Sequence, residues 1–303
     1  MRVISIMKTA WTRLIRFIAT DDRILRGEPI MPHPGFDLGQ TTEETKLRAK
    51  VIIGDDIYDT TGATKVTDEI VVVKKLLGPV SAQDVPILRC IGFNYTHHIR
   101  EIGINLPKIP VMFFKPSTTV HDHEAAVIIP RICQNDQADY EGELCFVIGK
   151  DAKNVCASRA LEYVAAYTVG NDISSRKLQL DRELAGPVPQ AGFSKGFDTF
   201  APLGPALVSS ALIEDPKRLR LQTTVNGEVR QQSRVDDLVF SVERLIEYLS
   251  TGTTLQKGSI VMTGSPEGIG ARMRPQRWLT PGTQMEVCIS EIGTLKNDVV
   301  FEK

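Results

Sequence analysis

The chain has 303 residues, 42% of them hydrophobic, and a formal net charge of -1. That composition belongs to a globular protein with length for one large domain and an appendage, or for two domains, and the near-balance of charge, with basic residues scattered, gives no support for a surface that tracks nucleic-acid phosphates. No apolar run approaches the ~20 residues of a membrane-spanning helix. The five cysteines, Cys90, Cys133, Cys145, Cys156 and Cys288, include no C-x-x-C pair and read as reduced thiols, most of them buried, in a cytoplasmic protein.

Residues 1–20 carry Arg2, Lys8, Arg13 and Arg16 with no acid before Asp21, a pattern shared with mitochondrial transit peptides. The alternation in Leu14-Ile15-Arg16-Phe17-Ile18 favours instead a first strand that turns at Asp21-Asp22. Short alternating runs such as Val51-Ile52-Ile53 and Ile70-Val71-Val72-Val73, punctuated by proline and glycine, predict a small β-rich domain over residues 1–82. Gly78-Pro79-Val80-Ser81 reads as the link to a second domain, residues 83–303.

In that domain strands are predicted at residues 87–92 and at Val111 to Lys115, the latter stopped by Pro116. A helix from Ser158 to Tyr167 carries Leu161, Val164 and Ala165 on one face and leads into a strand ending at Asp172. Asn226-Gly227 predicts a two-residue hairpin, since both residues readily take positive φ. Val242, Leu245, Ile246 and Leu249 mark an amphipathic helix with Ser241 at its N-cap and Gly252 beyond its end. A strand over residues 259–263 opens into a glycine-rich loop. Many strands and two or three helices make the fold class α+β, mostly β, with mixed and chiefly antiparallel sheets.

Glu141 and Glu143 head the apolar run Leu144-Cys145-Phe146-Val147-Ile148. On a strand both carboxylates share a face. Like charges so placed repel, and half-buried acids are costly without a partner. A divalent cation removes both problems, and an all-oxygen site suits Mg²⁺, Mn²⁺ or Ca²⁺ better than zinc. Asp172, at the end of another predicted strand, supplies a third acid. The plain alternative is solvated surface, with Asp136 and Asp139 as part of an acidic loop.

If a helix starts near Tyr95, His98 and Glu101 lie on one face at i, i+3. A carboxylate on one ring nitrogen fixes the tautomer and strengthens the other nitrogen as a base for water. His97 points roughly 100° away. Such pairs are also common on surfaces. Further polar candidates are Lys115, Arg176, Gln179 and Lys195; a lysine near apolar residues can neutralise an enolate or extend to solvent. The loop Gly264 to Gly270 can cradle an anion with its N–H groups, yet it lacks the ending of a P-loop and departs from G-x-G-x-x-G. There is no G-x-S-x-G elbow and no Cys-His nucleophile motif.

In order along the chain, Gly92-Phe93-Asn94-Tyr95 with His98 and Glu101, Phe114-Lys115-Pro116-Ser117, Tyr140-Glu141-Gly142-Glu143-Leu144, and Asn171-Asp172-Ile173-Ser174 with Arg176 and Gln179 form a set. Lys195-Gly196-Phe197-Asp198, Val225-Asn226-Gly227-Glu228 and Thr263-Gly264-Ser265-Pro266-Glu267-Gly268 complete it. Together they resemble the fumarylacetoacetate hydrolase family over roughly residues 85–300. The resemblance implies a mixed β-roll or β-sandwich catalytic domain, usually a homodimer, with one divalent cation per subunit. It implies Glu141, Glu143 and Asp172 as metal ligands, His98 and Glu101 as the general-base pair on a lid segment, and Lys195 as the cationic stabiliser. Arg176, Gln179, Lys115, Thr263 and Gly264 would contact substrate. Lys177 departs from the family's pattern, and His121 and His123 match nothing in it; as loop histidines they are expected to be exposed.

The function so implied is metal-dependent hydrolysis of the C–C bond of a 1,3-diketone or acylpyruvate-type 2-keto acid, through an enolate that the cation holds. Oxaloacetate decarboxylation on the same site is the alternative. Enolate C–C bond formation, as in macrophomate synthase, ranks third. A non-enzymatic binding protein is disfavoured by the intact set of acids, base pair and lysine. The partners implied are a small keto acid and a second copy of the chain, with neither nucleic acid nor membrane.

Overall fold

The alternating run near the start of the chain forms the strand Arg13–Ala19. The protein is described here by a computed structural model covering residues 6–303; part of the segment in which a targeting sequence was considered, residues 1–5, lies outside it. Leu14 enters one apolar core, while Ile15 and Phe17 on the other side enter a second. The strand pairs antiparallel with Ile24–Ile30 and Lys65–Leu76, and Arg48–Ile53 lies between those two on their far side. It also pairs with Ala201–Ser209 through Arg13↔Val208 and Leu14↔Leu207. The N-terminal strands thus continue the large sheet of the rest of the chain.

At the centre of that sheet runs Gly142–Ile148, buried along its whole length. Period-two geometry sends Leu144, Phe146 and Ile148 into one core and Cys145 and Val147 into another. It pairs antiparallel with Val164–Asn171 and with Ile260–Met262. Ile260–Met262 runs parallel to Leu88–Gly92, and Val111–Lys115 forms the outer edge beyond it. A five-stranded sheet packs against this one, in the order Glu228–Arg234, Arg220–Val225, Gln284–Ile289, Gly293–Phe301, Val127–Ile129. Helix Val242–Ser250 buries its predicted stripe of Val242, Leu245, Ile246 and Leu249 in the shared core.

Asn226 and Gly227 take φ of 51° and 76° and form the expected hairpin turn. The helix predicted from Ser158 to Tyr167 is only the 3-10 segment Ala157–Tyr163. From Val164 onward the chain is strand, because Val164 and Ala166 pair with Ile148 and Val147, and tertiary pairing outweighs helical spacing. Ser241 occupies its N-cap position without the side-chain bond expected of it. All five cysteines are free, with Cys90, Cys133 and Cys145 buried and Cys156 exposed. Among the described residues no helix is long and apolar enough to cross a membrane.

Candidate active site

Three acids meet where two strands end. Glu141 immediately precedes Gly142–Ile148, and Asp172 immediately follows Val164–Asn171. The antiparallel register Gly142↔Asn171 puts them side by side, and the Asp172 N–H donates to the Glu141 carbonyl at 2.8 Å. Glu143 projects from the same strand, and one oxygen from each of the three carboxylates lies within 4.8 Å of the other two. Glu143 and Asp172 are buried, each with 1% of its surface exposed.

Each acid has one oxygen held from outside the cluster. Arg176 Nη2 donates to Glu141 Oε1 at 2.6 Å. Lys115 Nζ donates to Asp172 Oδ1 at 2.5 Å. The Gly264 N–H donates to Glu143 Oε2 at 2.6 Å. The inner oxygens of Glu141 and Asp172 then converge on Lys195 Nζ, at 2.8 and 2.7 Å.

Burial alone would raise the pKa of Glu141, but Lys195 and Arg176 outweigh it and hold the group well below the usual carboxylate range. Glu143 is pushed well above that range by burial and then by the charges of Asp172 and Glu141. Burial works against the Lys195 ammonium, and Asp172 and Glu141 more than reverse it. Among the described residues no side-chain cation reaches salt-bridge distance of Glu143. A buried, uncompensated acid beside two others is a donor set that fits a hard divalent cation, which would let all three ionise.

The short helix Thr96–Ile102 carries the second constellation. His98 Nδ1 lies 2.9 Å from Glu101 Oε2, so the Nδ1–H tautomer donates to the carboxylate and leaves Nε2 free to take a proton. The Glu101 pKa is depressed, because the hydrogen bond and charge of His98 outweigh its burial. Asn94, just before the helix, donates to the Thr263 and Phe240 carbonyls and accepts from the Phe240 N–H, which anchors the segment. His97 is exposed, with Nδ1 3.0 Å from Asp237.

The glycine loop does cradle anions, and they are the protein's own carboxylates. Besides Gly264 on Glu143, the Gly268 N–H donates to Glu101 at 3.3 Å, and Gly270 and Ala271 donate to Asp139 at 2.8 and 3.1 Å. Several residues expected at the substrate make contacts within this framework. Lys115 has no exposed surface, and its ammonium is spent on Asp172 and the Phe200 and Ile173 carbonyls. The Thr263 hydroxyl, equally buried, donates to the Leu144 carbonyl. Arg176 donates from Nε to Asp139, from Nη1 to Gln179 and from Nη2 to Glu141. Burial leaves these groups to satisfy the acids and carbonyls around them.

Two framework residues escaped the sequence reading. Asp139, expected in an acidic loop, is fully buried and holds Arg176. Its spacing of two before Glu141 and four before Glu143 was visible, but it lies in the separate short strand Ala138–Asp139, which pairs with Ser174–Ser175. Gln231 accepts the Gly142 N–H and donates to Ser265 and Pro266, and nothing in its local sequence marks it. His123, expected to be exposed, is 1% exposed because it is enclosed where residues 121–126 pack on the strand Gly293–Phe301, and His121 is half-buried with Nε2 2.9 Å from the Ala126 carbonyl. Lys177 is exposed and donates to the Asn135 carbonyl.

Sheet order, acid cluster and adjoining His–Glu pair define an enzyme of the fumarylacetoacetate hydrolase family. Residues 88–300 match the family model described as fumarylacetoacetate (FAA) hydrolase C-terminal, and the chain belongs to that family. It is 38% identical over 303 residues to a caffeoylpyruvate hydrolase of Neonothopanus nambi, covering 98% of this chain and 96% of that protein. It is 38% identical over 227 residues to the oxaloacetate tautomerase YisK of Bacillus subtilis (strain 168), covering 74% of this chain and 73% of the other. A solved structure of a 2-hydroxyhepta-2,4-diene-1,7-dioate isomerase from Mycobacterium marinum superposes with a TM-score of 0.73 at 29% identity, covering 96% of this chain and 99% of that one.

Proposed function

We propose that the protein hydrolyses the C–C bond of an acylpyruvate, with Mg²⁺ or Mn²⁺ held by Glu141, Glu143 and Asp172. The observation that carries this reading is the His98–Glu101 contact at 2.9 Å, a geometry that suits a water-activating base, linked to the acid cluster by the loop from Gly264 to Gly268. When bound, the cation supplies Lewis-acid polarisation of the substrate's 2-keto acid end. His98 Nε2 takes a proton from water, and the hydroxide adds to the distal carbonyl. The C–C bond breaks with its electron pair passing to the three-carbon fragment as an enolate, and the other fragment leaves as a carboxylic acid. Lys195 donates to the enolate oxygen, and protonation at carbon gives pyruvate.

The acyl group is aromatic or apolar in this reading. Lys195 Nζ lies 5.2 Å from the centroid of Phe113, and Phe193 and Phe197, two positions before and after Lys195 in the chain, stack edge to face on each other. The likeness to the caffeoylpyruvate hydrolase runs through the N-terminal strands as well as the catalytic part and supports the same choice. The second reading, oxaloacetate as substrate, is favoured by the likeness to the tautomerase and needs no attacking water. We also propose a homodimer in which a second copy covers the outer strand Val111–Lys115, where Val111, Met112 and Phe114 are exposed at an open sheet edge.

Purified protein with Mg²⁺ is incubated with acetylpyruvate, an aroylpyruvate or oxaloacetate, and pyruvate release and loss of the enol absorbance are followed. Hydrolysis of acylpyruvates that disappears in His98→Ala is the expected result. Turnover of oxaloacetate alone, retained in His98→Ala, would replace hydrolysis with the second reading.

A further inference from the structure

We infer that Lys195 is a resident counter-cation of the acid cluster, and that a divalent cation enters by displacing its ammonium from Glu141 and Asp172. The inference rests on the metal-dependent reading above. The outer oxygens of the cluster are committed to Arg176, Lys115 and the Gly264 N–H. The inner oxygens are those that these groups leave open to an entering cation, and Lys195 Nζ already bridges two of them at 2.8 and 2.7 Å. Two positive charges sharing those oxygens inside a buried site repel strongly. One of them leaves, and the lysine is the one on a flexible stem.

Glu141 and Asp172 come from different strands, and the ammonium neutralises their repulsion. Lys195 follows the short helical turn Ala191–Ser194, and its ammonium faces Phe113, so a small swing keeps it beside the cluster. Displacement thus does two things at once. It completes the cation site, and it frees the Lys195 ammonium to meet the negative charge that develops on substrate. Lys115 cannot substitute, since its ammonium is fully enclosed and engaged with three oxygens.

The test combines metal affinity with structure. Chelator-stripped wild type and Lys195→Met are titrated with Mn²⁺ by calorimetry and melted with and without it. The variant is expected to bind Mn²⁺ about tenfold tighter or more, since nothing must be displaced. Without metal it is expected to melt below wild type and to gain more from Mn²⁺. A crystal structure of Mn²⁺-loaded wild type is expected to show Nζ beyond hydrogen-bond distance of Glu141, Asp172 or both. Retention of both contacts in the loaded protein, or equal or weaker affinity in the variant, overturns displacement while leaving metal dependence intact. If neither protein takes up Mn²⁺, metal dependence itself fails and displacement with it. Should stripped Lys195→Met not fold, the wild-type structures with and without Mn²⁺ decide the question.

Discussion

Gly264 donates its backbone N–H to Glu143 Oε2 at 2.6 Å. Four residues on, Gly268 donates to Glu101, the partner of His98. One loop therefore sets the position of an acid of the cluster and of the base pair, and damage to it should reach both.

Gly264 has φ of +99°, and a Cβ there would meet Asn94 Cβ at 2.9 Å and the Ile91 carbonyl at 3.0 Å. Gly264→Ala should cost about 1–3 kcal/mol for the backbone conformation alone. The contact with Asn94 also pushes on the segment that leads into the His98 helix. Thermal unfolding should show the loss of stability, and kcat should fall with it; an unchanged kcat in folded variant would mean that the loop does not position the site.

Arg176 joins Asp139, Glu141 and Gln179 in a buried network. Arg176→Met leaves the buried Asp139 without its cation and Glu141 with Lys195 alone, which should cost about 3–5 kcal/mol in urea unfolding. Arg176→Lys should recover part of this, because an ammonium restores charge without the forked geometry. Full stability in Arg176→Met would show that the network is not what holds Glu141.

His98→Ala removes the proposed base and leaves the acids untouched. Hydrolytic kcat should drop by about 10²–10⁴-fold, while calorimetry should return an unaltered metal affinity. Glu101→Gln should fall between the two, since the glutamine oxygen can still accept from Nδ1 but carries no charge. A parallel loss of metal binding would assign the pair a structural role.

His123 predicts acid sensitivity. Its burial pushes the pKa down from an ordinary 6.5 to about 4, with Lys296 adding to the shift and Asp37 opposing it. Nδ1 accepts the Lys296 N–H, a bond that requires the neutral ring on that side. The folded value lies below the unfolded one, so between them the unfolded chain binds more protons. Stability is complete above about pH 6.5 and falls as pH drops toward about 4, by about 3 kcal/mol in all. His123→Gln should flatten urea-unfolding curves over that window, and an identical pH dependence in the variant would refute this account.

Local spacing made much of the catalytic part legible. A period of two placed Glu141 and Glu143 on one face, and the i, i+3 spacing of His98 and Glu101 gave a pair that the helix Thr96–Ile102 brings to 2.9 Å. The strand that cut short the predicted helix after Tyr163 was not legible in the same way, because its pairing partner lies in Gly142–Ile148.

What the amino-acid order determined by itself is therefore the chemistry available: which acids share a strand face, which histidine has a carboxylate one turn away, which loop is rich in free N–H groups. What only the tertiary structure decided is how those groups are spent. Lys195 reaches Glu141 across 54 positions of sequence, Lys115 reaches Asp172 across 57, and Gly264 reaches Glu143 across 121. Periodicity constrains neighbours within a turn or a strand, whereas these contacts depend on strand register and burial. An enclosed cation or N–H must find an acceptor where the fold leaves it, and here the fold leaves each of them on an acid.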